Sequence, residues 1–148
     1  MEELTKVLMS GSLDLHIVHD PNGQYDAAKG DRYLGIAFEP TEWEAVFFKV
    51  LHCPEAEPFI QGEDLDEYYE RYRRRFQQAI ADYPMLGRIW DMYEDVCYMP
   101  EEMNLLQNEC RRVQTRTSNA YALEGLRKLR FACNEALKLG MGLYMASD

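Results

Sequence analysis

The stretch from Asp82 to Arg112, DYPMLGRIWDMYEDVCYMPEEMNLLQNECRR, constrains this chain most, because its apolar residues recur at helical steps on both sides of a single internal break, Pro100. Before the break, Leu86, Ile89, Trp90, Tyr93 and Val96 are spaced so as to share one helical face, with Arg88, Asp91, Glu94 and Asp95 on the other. After it, Pro100 suits a first helical position and Glu101 and Glu102 suit the positive end of the helix dipole. Met103, Leu106, Cys110 and Val113 then form an apolar stripe, and Arg111 and Arg112 suit the C-terminal end. The stretch predicts two amphipathic helices joined at Pro100. It contains no motif that names a reaction.

The flanking sequence supplies the rest of the fold. Leu4, Val7 and Leu8 make a short helical face that Gly11 should end, and Leu13, Leu15 and Ile17 then alternate with polar residues at the period of a strand. The DPNG at Asp20–Gly23 signals a turn, and Tyr33–Phe38 (YLGIAF) reads as a second short strand, so a hairpin across residues 13 to 38 is expected. Thr41 to His52 carries a capping-box pattern, Thr41-x-x-Glu44, followed by Trp43, Val46, Phe47, Val50 and Leu51 at helical spacing. Pro54 and Pro58 end that helix, and CPEAEPFIQG crosses the surface as a linker. Asp64 opens the next helix, whose apolar side, Leu65, Tyr68, Tyr69, Tyr72, Phe76, Ile80 and Tyr83, is rich in tyrosine. Its acidic start and the later Arg71, Arg73, Arg74 and Arg75 match the helix dipole. A final helix carries Ala122, Leu126, Leu129, Ala132, Cys133 and Ala136 on one stripe and stops at Gly140, and MGLYMASD allows a short terminal strand beside the first two. The sum is an α+β chain, mainly α, with five or six helices in one domain over residues 1–148 and a small N-terminal β element.

Composition bounds the partners. A chain of 148 residues that is 47% hydrophobic can bury one real core. Its net charge of -10 opposes binding to nucleic-acid phosphates or anionic membranes and favours a protein partner with a basic surface. The four cysteines form no C-x-x-C pair and read as reduced core thiols. The acidic N-terminus resembles no secretory signal and no apolar run is long enough to span a membrane, so a cytoplasmic location is expected.

Three groups of residues suggest chemistry. Asp14, His16 and Asp20 would share one side of a strand as a partial metal site, although no further ligand stands at recognisable spacing. The His19-Asp20 dipeptide resembles that of the HD phosphohydrolases, but a turn follows it and the further histidines are lacking. Glu67-x-x-Glu70 and Asp91-x-x-Glu94 resemble the paired acidic motifs of the all-α nucleotide pyrophosphatases of the MazG type, with the second pair in reversed order. That resemblance implies Mg2+ held by Glu67, Glu70, Asp91 and Glu94 against a nucleotide's phosphates. Outside that alternative no cofactor is expected. The chain lacks a P-loop, a nucleophile elbow, G-x-G-x-x-G and H-E-x-x-H, and His52 beside Cys53 is a bare neighbour pair.

The segments YPMLGRIWDMYEDV, PEEMNLLQNEC and LRFACNEALKLGMGLYMASD resemble in style small bacterial helical proteins, among them the immunity proteins of polymorphic toxin systems. The resemblance implies a non-enzymatic inhibitor that covers a basic toxin or nuclease. An acidic, aromatic surface suits that role, with Tyr68, Tyr69, Trp90, Asp91, Glu94 and Asp95 as its contact residues. A structural or homodimeric subunit is the third expectation, to be recognised by a contiguous exposed apolar patch.

Overall fold

The structure, a computed structural model, describes residues 11–147; the short helical face at Leu4, Val7 and Leu8 lies outside them. Among the described residues the chain forms four strands, β1 (Leu13–Val18), β2 (Arg32–Phe38), β3 (Val96–Tyr98) and β4 (Gly142–Ser147). It also forms four α-helices, α1 (Pro40–Glu44), α2 (Leu65–Ala79), α3 (Met103–Gln114) and α4 (Ala120–Leu139). The strands make one antiparallel sheet in the order β2-β1-β4-β3. This corrects the expectation of five or six helices with a small N-terminal β element: the class is α+β, with fewer helices and a larger sheet.

The correction lies in the organising stretch. Only Leu86–Ile89 is helical before Pro100, as one 3-10 turn, and Val96–Tyr98 is a strand paired with β4. Side-chain partners explain the break: the Ile89 carbonyl and the Tyr93 N–H, which a helix would join to each other, are bound instead by the Trp43 indole N–H at 2.5 Å and the Asp91 carboxylate at 2.9 Å. The Glu109 carboxylate on α3 accepts the Met85 N–H at 3.0 Å and the Leu86 N–H at 2.9 Å, and the Met85 carbonyl accepts the Tyr98 hydroxyl at 2.7 Å. Glu109 and Tyr98 thus hold the start of the turn in the core, and the diversion of the Ile89 carbonyl and the Tyr93 N–H overrides the helical spacing beyond it. Leu86, Ile89 and Val96 still reach the core, while Tyr93 does not.

The second half of the stretch forms α3, entered through a 3-10 turn at Pro100–Glu102, and Met103, Leu106, Cys110 and Val113 are fully buried along it. It packs against α4 as a helical hairpin, with Asn119 capping α4 through the Tyr121 and Ala122 N–H groups at 3.0 and 3.1 Å. The expected helix from Thr41 begins one residue earlier, at Pro40, where Glu42 rather than Glu44 reaches back to the Glu39 N–H at 2.9 Å. It continues as a π-helical segment, Ala45–Val50. Asp64 caps α2 by accepting the Glu67 N–H at 2.8 Å.

One face of the sheet is apolar. Leu13, Leu15 and Ile17 of β1, Leu143 and Met145 of β4, and Val96 and Tyr98 of β3 join α3 and α4 in one contiguous core. Gly142 is required where β4 enters: a Cβ there would stand 2.4 Å from the Tyr98 carbonyl oxygen and 2.6 Å from Pro21. The other face carries Asp14 and His16 of β1 and Tyr144 of β4, with His16 paired across the sheet to Tyr33 and Tyr144. At the β2 edge the register shifts: β2 advances four positions, from Ala37 to Tyr33, while β1 advances two. Gly35 sits in that excess at φ 77°, and the bulge disfavours pairing with a further strand. All four cysteines are free, and Cys53, Cys110 and Cys133 are buried. No helix among the described residues is long and apolar enough to cross a membrane.

Candidate functional site

The tyrosine face of α2 does not pack wholly into the core. Only Phe76 of this helix is buried, while Tyr68 and Tyr72 are half-buried and Leu65 and Tyr69 are exposed. The face instead forms one wall of a cleft of about 510 Å³. The segment around Trp90 to Tyr93 forms the opposite wall, and Trp43, Glu44 and Phe48 close it. The indole N–H of Trp43 donates to the Ile89 carbonyl at 2.5 Å, joining the floor to the far wall.

Aromatic rings in the cleft wall join buried and flanking rings in a continuous series. Phe59 from the linker stacks on Tyr68 at 4.2 Å, Tyr68 meets Tyr69 at 6.0 Å, and Tyr69 meets Trp90 edge-on at 6.5 Å. Trp90 also meets Tyr72 at 6.1 Å, Tyr72 meets Phe76 at 5.9 Å, and Phe76 stacks on Trp43 at an interplanar angle of 7°. Such pairs hold each other's ring geometry and present large contact area with polar tips. Two arginines of α2 tie the linker to the helix. Arg71 forks onto Glu63 at 2.9 and 3.0 Å, reaches Glu57 at 3.1 Å and lies over the Tyr68 ring, while Arg75 also binds Glu57. The basic run that suits the helix dipole therefore also pins the linker to α2.

The cleft is electronegative. Glu44, Glu55 and Asp91 line it, and among the described residues no Lys or Arg does. Burial first, then the charges of its neighbours Cys53, Tyr68, Asp91 and Glu55, push the Tyr72 phenol up to about 12, so it remains a neutral hydroxyl. A second depression of about 600 Å³ shares Tyr69, Trp90, Asp91 and Tyr93 and adds Asp66, Glu70, Glu94 and Arg73.

The expected contact residues divide accordingly. Tyr68, Tyr69, Trp90 and Asp91 line the cleft, and Glu94 lines the adjoining depression. Asp95 is elsewhere and already engaged: it accepts the Tyr144 hydroxyl, and the Ser147 N–H and hydroxyl, both at 2.8 Å, tying β4 to the approach to β3. Those bonds, the Tyr144 hydroxyl first, hold its carboxyl below the usual range. Of the acids in the pyrophosphatase pattern, Glu70, Asp91 and Glu94 meet at the depression and Glu67 does not line it. Glu70 is paired with Arg73 at 2.6 Å, and Asp91 accepts the Tyr93 N–H at 2.9 Å. Among the described residues no group of three or more His, Cys, Asp or Glu could hold a metal ion. The sheet also departs from the all-α fold that this resemblance implies.

Asp14, His16 and Asp20 do not make a ligand set. Asp14 and His16 lie on the open face of the sheet, His16 Nδ1 stands 3.2 Å from the Asp14 carbonyl, and Asp20 turns to accept the Asn22 N–H at 3.1 Å. His19 is bound to buried Asp31, ring to carboxylate at 2.8 Å and backbone N–H to carboxylate at 2.7 Å. Comparison with protein-family models, curated proteins and solved structures gave no match.

Sequence reasoning missed Glu44, Phe48 and Glu55, which line the cleft from the α1 region and the linker, and Phe59, which stacks on the Tyr68 ring of its wall. The available signal was Phe59 and Ile60 in a linker otherwise suited to solvent: both are 58% exposed.

Proposed function

We infer that this protein is a non-enzymatic binding module whose aromatic, acidic cleft takes a basic segment of a protein partner. The observation that carries this reading is the unbroken aromatic series through a cleft bounded by Glu44, Glu55 and Asp91. Arginine and lysine side chains are attracted to ring faces and to carboxylates together, and the net charge of -10 steers such a partner from a distance. An immunity-type inhibitor, cytoplasmic and bacterial, that covers the basic active site of a toxin or nuclease would use such a surface. Neither nucleic acid nor an anionic membrane suits it.

The test is titration of an arginine-rich peptide, followed by tryptophan fluorescence and calorimetry. Binding should weaken with salt, a glutamate-rich peptide of the same length should not bind, and Tyr69→Ala with Tyr93→Ala should weaken binding about tenfold or more without lowering the unfolding temperature. Equal affinity for both peptides, or no effect of the two substitutions, refutes the reading. The Mg2+-dependent hydrolase reading keeps one supporting observation, the meeting of Glu70, Asp91 and Glu94. It requires a Mg2+- and nucleotide-dependent thermal shift that Glu70→Gln abolishes; ligand at about 100 times its dissociation constant adds about 2.7 kcal/mol.

A further inference from the structure

On the open face of the sheet, away from the cleft, a cavity of about 290 Å³ is lined by His16, Asp20, Tyr25 and Tyr144 with Val18, Gly23 and Ala146 beside them. We propose that it is a binding site for a methylated ammonium group. Its geometry is that of an aromatic box. Tyr25 and Tyr144 stand at 82° and 72° to the His16 ring, with centroids 6.0 and 6.4 Å away, so two walls rise from one floor. Tyr33 flanks His16 on the other side at 5.1 Å.

The rings are fixed before any ligand arrives. The Tyr25 hydroxyl donates to the Asp31 carbonyl at 3.0 Å, the Tyr144 hydroxyl donates to Asp95, and the Asp14 carbonyl beside His16 Nδ1 places the ring proton on that nitrogen. The β1–β4 register sets His16 directly opposite Tyr144, and the turn after β1 brings Tyr25 and Asp20 over the end of the strand. Preorganised rings lose little freedom on binding.

The chemistry selects the ligand. Ring faces attract a cation, and Asp20 adds a carboxylate at the rim. A primary ammonium needs acceptors for three N–H bonds. The Asp20 carboxylate and the phenol oxygens supply some of these, but the ring faces, Val18 and Ala146 cannot replace the rest of its hydration. A fully methylated ammonium demands no hydrogen bonds, is weakly hydrated and carries its charge at every pH. The same chemistry comes either from a free small molecule such as choline or from trimethyllysine in a protein.

The test is calorimetric titration of the full chain with choline, with ethanolamine as its unmethylated counterpart and 3,3-dimethylbutan-1-ol as its uncharged isostere. Choline should bind about fivefold or more tightly than either. Tyr25→Leu and Asp20→Asn should each weaken choline several-fold, with far-UV circular dichroism and the unfolding temperature showing that each variant is folded. Tyr25→Phe, which keeps the ring, should retain most of the affinity. A trimethyllysine peptide is titrated in parallel: tighter binding than choline assigns the site to a modified protein, weaker binding to a free small molecule, and both support it. Equal binding of the uncharged isostere, or no saturable binding of either trimethylated probe, overturns the proposal.

Discussion

Asp31→Asn should destabilise the protein markedly while removing almost no volume. The Asp31 side chain has no exposed surface, and its carboxylate accepts the His19 N–H at 2.7 Å, the His19 ring at 2.8 Å and the Asp26 N–H at 2.8 Å. Asparagine keeps one acceptor oxygen and turns an NH2 group toward a donor, so at least one charge-assisted bond is lost and one N–H is left facing another. At roughly 1.5–3 kcal/mol for a bond to a charged group and about 1–3 for an orphaned buried donor, the net cost is about 2–4 kcal/mol. For a domain of this size that is an unfolding temperature lower by roughly 5–15 °C. Urea unfolding at neutral pH measures it directly. The pH dependence gives an independent check. Burial pushes Asp31 up, but the hydrogen bonds from the Asp26 N–H, the His19 ring and the His19 N–H outweigh it and hold the carboxyl below its usual range. A depressed carboxyl contributes stability that is fully present above its unfolded value of about 3.9 and is lost as pH falls through the folded one. The gap between wild type and Asp31→Asn should therefore be full at neutral pH and close below about pH 4. A cost under about 0.5 kcal/mol, typical of an uninvolved surface site, or a gap that does not change with pH, would refute the reasoning.

Two further substitutions probe the segments that redirect the chain. Glu109→Leu removes the acceptor of the Met85 and Leu86 N–H groups and should cost about 2–5 kcal/mol by urea unfolding, with Glu109→Gln, which keeps one oxygen, costing less. Gly142→Ala places a Cβ 2.4 Å from the Tyr98 carbonyl, a backbone atom that cannot move without disturbing the β3–β4 pairing. It should cost about 3 kcal/mol or more, read as a lowered unfolding temperature.

The parts of the fold legible in the sequence are those set by local chemistry. The cap at Asp64, the stripe of α3 and the stop of α4 at Gly140 are written in consecutive residues. The segment from Leu86 to Val96 was illegible because its helical spacing is real, yet its Leu86 N–H and Ile89 carbonyl are bound by Glu109 and Trp43, which no local window links to it. The same division runs through the sites. Tyr68, Tyr69, Trp90 and Asp91 could be selected as exposed aromatics and acids, while Asp95 looked equivalent and is spent on Tyr144 and Ser147. His16 drew attention as a metal ligand because its sequence neighbours are acidic. Its actual neighbours, Tyr25, Tyr33 and Tyr144, are set by strand register.

The order β2-β1-β4-β3 places the C-terminal strand inside the sheet, between the first strand and the short one. Leu13 pairs with Ser147, so the sheet closes only when the two ends of the described chain meet, and the loop-closure entropy of that contact is paid across nearly its whole length. The two candidate sites depend on this closure differently. The cleft is built from the α1 region, the linker, α2 and the Trp90 segment, with Gly11 from just ahead of β1, and none of its lining comes from β4. The aromatic box takes Tyr144 and Ala146 from β4 and His16 and Val18 from β1, so it exists only where those strands are paired. Asp95 strengthens the dependence, since the bond that orients the Tyr144 ring is made by the carboxylate that also holds Ser147 at the end of β4. Weakening the sheet should therefore dismantle the box before it disturbs the cleft. The acidic, aromatic surface and the ammonium box are separable properties of one fold, each governed by its own set of contacts.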